Sequence, residues 1–319
     1  MDDRNYDKIV SEANEKLRIQ RNYYRRLHID KLCDLNAEEY YESLKDWRKF
    51  KEPRDTSKRD AKKDSGVTLF LKLKSIFSDK AKRKLEEKCK AEKTLKQVYE
   101  QDHQKKVKSM RAEFEKQQRK NNESVDEMKL LYTQGDKRQI GNFFNAVLEN
   151  DDFTLDVLYR QEKYDSSSVI SQYDEKTKKI SYRYRIPNKD EICVIDRFVY
   201  DKERGEVIAK ELDKKHAKKV RMHLLETLLL RSVARIICSD EQNNVESINL
   251  TGFLRYYDRA YGNNREIDVV KLNISRDIIL HINPERVDVS ELFERVLKEN
   301  FKTSTGLYDK EPFGLTEIK

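Results

Sequence analysis

The sequence predicts an α+β protein, in which a long, charged, coiled-coil-like helical arm precedes a compact C-terminal domain of helices packed on an antiparallel sheet. Three observations lead there. Residues 78–128 hold no glycine or proline and are dominated by Lys, Arg, Glu and Gln, all good helix formers. Residues 212–238 carry the widest apolar helical face in the chain, as expected of a helix buried against a sheet. Short alternating runs occur in groups around that helix rather than in regular alternation with helices, which favours α+β over α/β.

Taken in order, residues 1–50 form an N-terminal helical segment with an interruption. Ile9, Val10, Leu17, Tyr24, Leu27 and Leu32 recur at three- to four-residue steps. Asn36-Ala-Glu-Glu39 has capping-box spacing and opens a second helix presenting Tyr40, Leu44 and Trp47. Residues 51–66 are nearly devoid of apolar side chains and read as a charged, mobile linker. Residues 67–130 comprise an apolar patch, Val67 to Phe77, and the long charged helix. A continuous helix over 78–128 would be ~75 Å long at ~1.5 Å per residue. Its Leu85, Leu95, Val98, Val107, Met110 and Phe114 approximate a heptad seam flanked by Glu and Lys, which predicts self-association along the arm.

The α+β domain spans 131–302. Asp136 is placed to cap a helix carrying Ile140, Phe143, Phe144, Val147 and Leu148. The runs 169–173 and 180–186 read as a β-hairpin, since Ile180, Tyr182, Tyr184 and Ile186 alternate with polar residues. A third strand is expected within Glu191–Tyr200. Strands at 247–257 and 266–274 are joined through Gly262-Asn263, and Ile278–Ile282 offers a further strand. Asp288-Val-Ser-Glu291 is a second capping box, opening a last helix with Leu292, Phe293, Val296 and Leu297. Residues 303–319 read as a C-terminal tail.

Charge divides the chain. The net +8 comes from the first part, where residues 1–130 hold 35 Lys+Arg against 26 Asp+Glu. Contact with the backbone of DNA or RNA is therefore expected there first, through the cluster Lys80, Lys82, Arg83 and Lys84. No stretch approaches the ~18–20 apolar residues of a membrane span, and no apolar signal core follows the N-terminus, so a cytoplasmic location is expected. The four cysteines, Cys33, Cys89, Cys193 and Cys238, lack metal or redox spacing and read as reduced structural thiols.

A resemblance rests on particular segments. Glu42-Ser-Leu-Lys-Asp46 and Leu71-Lys-Leu-Lys-Ser-Ile-Phe77 precede the charged helix. Leu131-Tyr-Thr-Gln-Gly-Asp136 and Phe143-Phe-Asn-Ala-Val-Leu148 follow it. Leu250-Thr-Gly-Phe-Leu-Arg-Tyr-Tyr-Asp-Arg-Ala-Tyr-Gly262 and Ile282-Asn-Pro-Glu-Arg-Val-Asp288 come last. These resemble the region preceding the nuclease domain in bacterial restriction-endonuclease-like proteins of the Mrr type. In those proteins a PD-(D/E)xK nuclease domain comes next, whereas here only residues 289–319 follow Asp288. The resemblance therefore implies an antiviral defence context and a non-catalytic, assembly-forming role, not nuclease activity.

No complete catalytic constellation is found. Asp/Glu-x-Lys matches such as Asp60-Ala-Lys62, Glu86-Glu-Lys88 and Asp174-Glu-Lys176 fall in a linker, a charged helix and a turn. A weaker alternative places Glu266, Asp268 and Lys271 on one strand as a divergent metal-dependent nuclease site, although the spacing differs from the motif. His216 and His223 are two helical turns apart without a third partner, and read as one surface and one packed histidine. There is no Gly-rich phosphate loop and no nucleophile elbow. Neither metal nor cofactor is expected. The reading is of a non-enzymatic scaffold or sensor subunit, homo-oligomeric and acting with a separately encoded effector. The alternatives are a nucleic-acid-binding protein and the divergent nuclease.

Overall fold

The computed structural model describes residues 3–30, 32–155 and 163–318. The helices are α1 (Asp3–Arg26), α2 (Ala37–Leu44), α3 (Ser57–Asp64), α4 (Leu69–Lys74), α5 (Asp79–Thr133), α6 (Lys137–Glu149), α7 (Lys214–Ser239), α8 (Arg276–His281) and α9 (Val289–Glu291), the last continuing as a π-turn over Leu292–Val296. The strands are β1 (Val169–Asp174), β2 (Lys179–Arg185), β3 (Ile195–Asp201), β4 (Glu206–Glu211), β5 (Ser247–Asp258), β6 (Asn263–Ser275) and β7 (Phe301–Thr303). No described helix is long and apolar enough to cross a membrane. The chain is α+β and falls into two compact units, residues 1–43 with 128–319, and residues 44–127.

The first unit is built on a five-stranded sheet of order β1-β2-β5-β6-β7. β1–β2 and β5–β6 are hairpins, as the alternation predicted. The sheet departs from a purely antiparallel one at its centre, where β2 and β5 run parallel with Tyr182 opposite Leu250. The chain leaves β2, makes the separate β3–β4 hairpin, and returns through α7, and such a crossover brings the next strand back in the same direction. Ile180, Tyr182 and Tyr184 are buried on one face of β2, with Ile186 buried just after it and Ile248, Leu250, Leu272 and Ile274 beside them on β5 and β6. Helix α7 is buried from Leu224 to Ile237, so it has no solvated face over that stretch.

Local capping is where sequence and structure agree most closely. Asn36 and Glu39 exchange their bonds as a capping box, with Glu39 N donating to Asn36 Oδ1 at 2.8 Å. Asp136 accepts from Arg138 N and Gln139 N at the start of α6, and Asp288 accepts from Glu291 N at the start of α9.

Several expectations are corrected. The N-terminal segment does not stand apart: α1 belongs to the first unit. There Asn14 bonds both the N–H and the carbonyl of Phe198 on β3, at 2.8 and 3.0 Å, replacing a neighbouring strand. Residues 278–281 lie in helix α8 rather than in a strand, and Ile282 follows as its extended C-cap. Residues 303–319 are not a free tail. Ser304, Leu307 and Tyr308 are buried, and Ile318 N donates to Asp268 O at 3.0 Å.

In the second unit, residues 44–66 run antiparallel to α5. Asp46 N donates to Asn122 Oδ1 at 2.8 Å, and Gln118 Nε2 to the Arg48 carbonyl at 2.9 Å. The rings of Phe50 and Phe114 lie 5.7 Å apart, Tyr99 OH donates to Asp64 at 2.7 Å, and Lys88 Nζ reaches Gly66 O at 2.9 Å. The stretch read as a linker thus contains α3, whose Ser57 and Ala61 are buried. Only small side chains make that contact, so its apolar signal is faint. Helix α5 has 55 residues, about 80 Å at ~1.5 Å per residue.

Candidate functional site

The strand site proposed from sequence lies on the polar face of the sheet. Thr251 pairs with Lys271 and Phe253 with Asp268, leaving Val269 as a bulge between them. A bulge resets side-chain parity. Glu266, Asp268 and Lys271 therefore share one face despite their uneven spacing. They do not form an open metal site. Arg183 on β2 donates to Glu266 at 2.9 Å and to Asp268 at 2.6 Å, and its guanidinium lies 4.3 Å from the Phe253 ring centroid. Arg255 adds a second bond to Glu266 at 3.1 Å. Burial pushes the Glu266 carboxyl up, but the guanidiniums of Arg183 and Arg255 outweigh it and hold the group below its ordinary value. A nuclease needs these carboxylates to hold Mg²⁺, and here two arginines occupy them. Among the described residues no group of three or more His, Cys, Asp or Glu is placed to hold a metal ion.

The long-helix candidates divide by exposure. Leu85, Leu95, Val107 and Phe114 are half-buried, in a unit where residues 44–66 of the same chain lie along α5. Val98 and Met110 remain 46% and 43% exposed. One part of the seam is therefore covered within the chain and another is left to solvent. Lys80, Lys82, Arg83 and Lys84 are all exposed, and among the described residues they make no ion pair.

The turn of this helical hairpin exposes a run of large apolar side chains. Leu69, Phe70, Leu73, Ile76 and Phe77 are between 54% and 88% exposed, while Val67 and Ala81 are buried beneath them. Thr68 caps α4 by accepting from Leu71 N at 3.2 Å, which fixes the start of the turn. Leu69, Phe70 and Leu73, spaced i, i+1 and i+4, share one face of α4, and Ile76 and Phe77 follow in the turn after it. Lys72 and Lys74 flank these side chains, and the four-cation cluster follows within α5. Five side chains of this size make a patch on the order of several hundred Å², large for a surface with nothing to bind.

Two features escaped sequence reasoning. Cys33 and Cys238, far apart in the chain and both exposed as residues, have neighbouring thiols, and partial desolvation of the sulfur together with the Cys33 thiol raises the Cys238 thiol above its ordinary value. Arg231 and Arg235 on α7 are 1% and 0% exposed and share Asp151 as counter-ion, at 2.6 and 3.5 Å. Nothing local in the sequence marks either. Tyr182 and Tyr184 are buried in the core. His216 is exposed against Asp213, and His223 is half-buried against Ser290.

Comparison with protein-family models, curated proteins and solved structures found no match to this chain.

Proposed function

We propose that this chain is a non-enzymatic scaffold or sensor subunit of a bacterial antiviral, restriction-like defence system, and that it docks a separately encoded effector through the turn of its second unit. The observation carrying this reading is the solvent-facing patch Leu69, Phe70, Leu73, Ile76 and Phe77 set among cations. An exposed apolar patch with basic flanks complements an apolar groove rimmed by Asp and Glu on a partner protein. Burying each such side chain contributes ~1.5–3 kcal/mol before association costs, so a few of them suffice for a specific contact. The neutralisation of Glu266 and Asp268 by Arg183 supports the non-enzymatic half. The defence context rests on the resemblance of the chain's segments to Mrr-type proteins.

The test is co-expression with the products of the adjacent genes, followed by size-exclusion chromatography with light scattering. The parent should co-elute with one of them, and Leu73→Glu with Phe77→Glu should abolish the complex while leaving circular dichroism unchanged. Retention of the complex by that double variant would reject the turn as the docking surface.

A second reading, nucleic-acid binding, is favoured by Lys80, Lys82, Arg83 and Lys84, which are exposed and form no ion pair among the described residues. It requires affinity for duplex DNA or RNA that falls steeply with salt and drops when Lys82 and Arg83 are changed to Glu. Self-association through Val98 and Met110 is compatible with either reading.

A further inference from the structure

Helix α7 carries three buried charged side chains, and they differ in how they are compensated. Arg231 donates three bonds to Asp151, at 2.6, 3.1 and 3.2 Å, and one to the Leu27 carbonyl at 2.6 Å. Arg235 has Asp151 at 3.5 Å and Asp34 at 3.4 Å. Glu226 is 7% exposed, yet among the described residues it forms no ion pair. Among the described residues its side chain accepts one hydrogen bond, from the Ser290 hydroxyl at 2.8 Å. Because Ser290 donates to Glu226, its oxygen is left to accept from His223 Nδ1, 3.2 Å away. The His223–Ser290–Glu226 chain therefore points its donors towards a carboxylate that has no cation.

Glu226 lines a cavity of about 620 Å³ between α1, residues 193–196, α7 and the start of the last helix. That volume lies within the ~300–1,000 Å³ range of small-molecule sites. Leu17, Tyr24, Val220 and Met222 supply apolar wall. The other charges facing it are disposed unequally. Arg21 is held by Asp196 at 3.6 Å and His216 by Asp213 at 2.5 Å, while Arg25 and Lys219 are exposed. Glu294 also lines the cavity, and both it and Asp288 repel an ionised Glu226. Glu226 is thus the buried charge of this lining, and it has no ion-pair partner among the described residues.

We propose that this cavity binds a small organic cation, a primary ammonium or guanidinium on a short apolar stem, with Glu226 as its counter-ion. The cation would complete the pairing that Arg231 and Arg235 already have, and the stem would lie against Leu17, Tyr24, Val220 and Met222. This goes beyond the docking role and does not depend on it, since the arm contributes no residue to the cavity. Burial, the largest influence, pushes Glu226 up to about 7, with Glu294 and Asp288 adding to it and the Ser290 bond opposing. His223 is lowered by burial, opposed by Asp288 and reinforced by Arg25. Binding a cation near neutrality therefore favours the ionised carboxylate and releases protons from Glu226.

The test is isothermal titration of the full chain with agmatine and with n-butylammonium, and butyrate as the anionic control. Saturable binding of the amines is expected at pH 8, at least tenfold weaker at pH 5.5 and at least tenfold weaker in Glu226→Gln. Titration at pH 7 in buffers of different ionisation heat should read the released proton, which a purely structural Glu226 would not provide. Ser290→Ala, a smaller perturbation, should weaken binding by less and serves should Glu226→Gln fail to fold. Absence of saturation by either amine up to ~10 mM, undiminished affinity in both variants, or equal binding of butyrate would overturn the proposal.

Discussion

Replacing Asp151 with alanine removes the carboxylate that serves two buried guanidiniums. Arg231 and Arg235 are 1% and 0% exposed, and neither can reach water without unpacking α7. Removing one partner from a buried ion pair costs about 3–5 kcal/mol, because the remaining charge stays desolvated. Part of the coordination survives, since Arg231 keeps the Leu27 and Asp30 carbonyls and Arg235 keeps Asp34 at 3.4 Å. The loss should therefore lie near the lower end, about 3 kcal/mol, a large share of the ~5–15 kcal/mol typical of a folded domain. Asp151→Asn preserves shape and one acceptor and should cost less. Urea unfolding read by near-ultraviolet circular dichroism of the buried Tyr182 and Tyr184 follows the first unit. Fluorescence of Trp47, the single tryptophan, follows the second. A loss below ~1 kcal/mol in Asp151→Ala would refute the view that one carboxylate compensates both arginines.

Three other outcomes are expected. The pure protein should not cleave DNA or RNA with Mg²⁺ or Mn²⁺, and Asp268→Ala or Lys271→Ala should change nothing; metal-dependent cleavage lost in both variants would restore the nuclease reading. Light scattering should show any arm-mediated oligomer of the full chain dissociating in Val98→Glu with Met110→Glu, whereas an unchanged mass would place the interface elsewhere. Glu226 has a folded-state pKa raised above its ordinary value, so its favourable contribution is complete below about 4.5 and is lost as pH rises through about 7. Glu226→Gln should accordingly be more stable than the parent above pH 7 and lose that advantage in acid, as thermal melts across pH will show.

Much of the local architecture was legible because it is encoded locally. Asn36, Asp136 and Asp288 announce helix starts by side-chain chemistry that acts within three residues. The alternation through Ile180, Tyr182 and Tyr184 marks a half-buried strand whatever lies beside it. What was missed depends on distant partners or on weak signals. β4 has Val207 and Ile208 among charged residues, and its mostly exposed pattern gave no core-facing alternation. α3 is anchored through Ser57 and Ala61, which carry almost no apolar weight. Arg231 and Arg235 look like surface residues until Asp151 is brought to them. On the polar sheet face, Glu266, Asp268 and Lys271 were identified, but Arg183, which binds both acids, came from another hairpin. His223 and Glu226 sit one helical turn apart and could be noticed in a sequence; Ser290, which links them, could not.

The parallel seam between β2 and β5 has a kinetic consequence. Each flanking hairpin closes over a short loop and can form early, as contacts between near neighbours in the chain do. Joining Tyr182 to Leu250 instead requires the whole intervening stretch, the β3–β4 hairpin and α7, to be gathered first. Until then the apolar edges of two preformed hairpins face solvent with unpaired backbone groups. The closing of this seam should therefore be the slow, late event in folding of the first unit, and the interval before it the one in which nascent chains are most prone to pair with one another. Pulse-labelled hydrogen exchange would see it directly, with amides of the β1–β2 and β5–β6 hairpins protected before those that bridge β2 to β5.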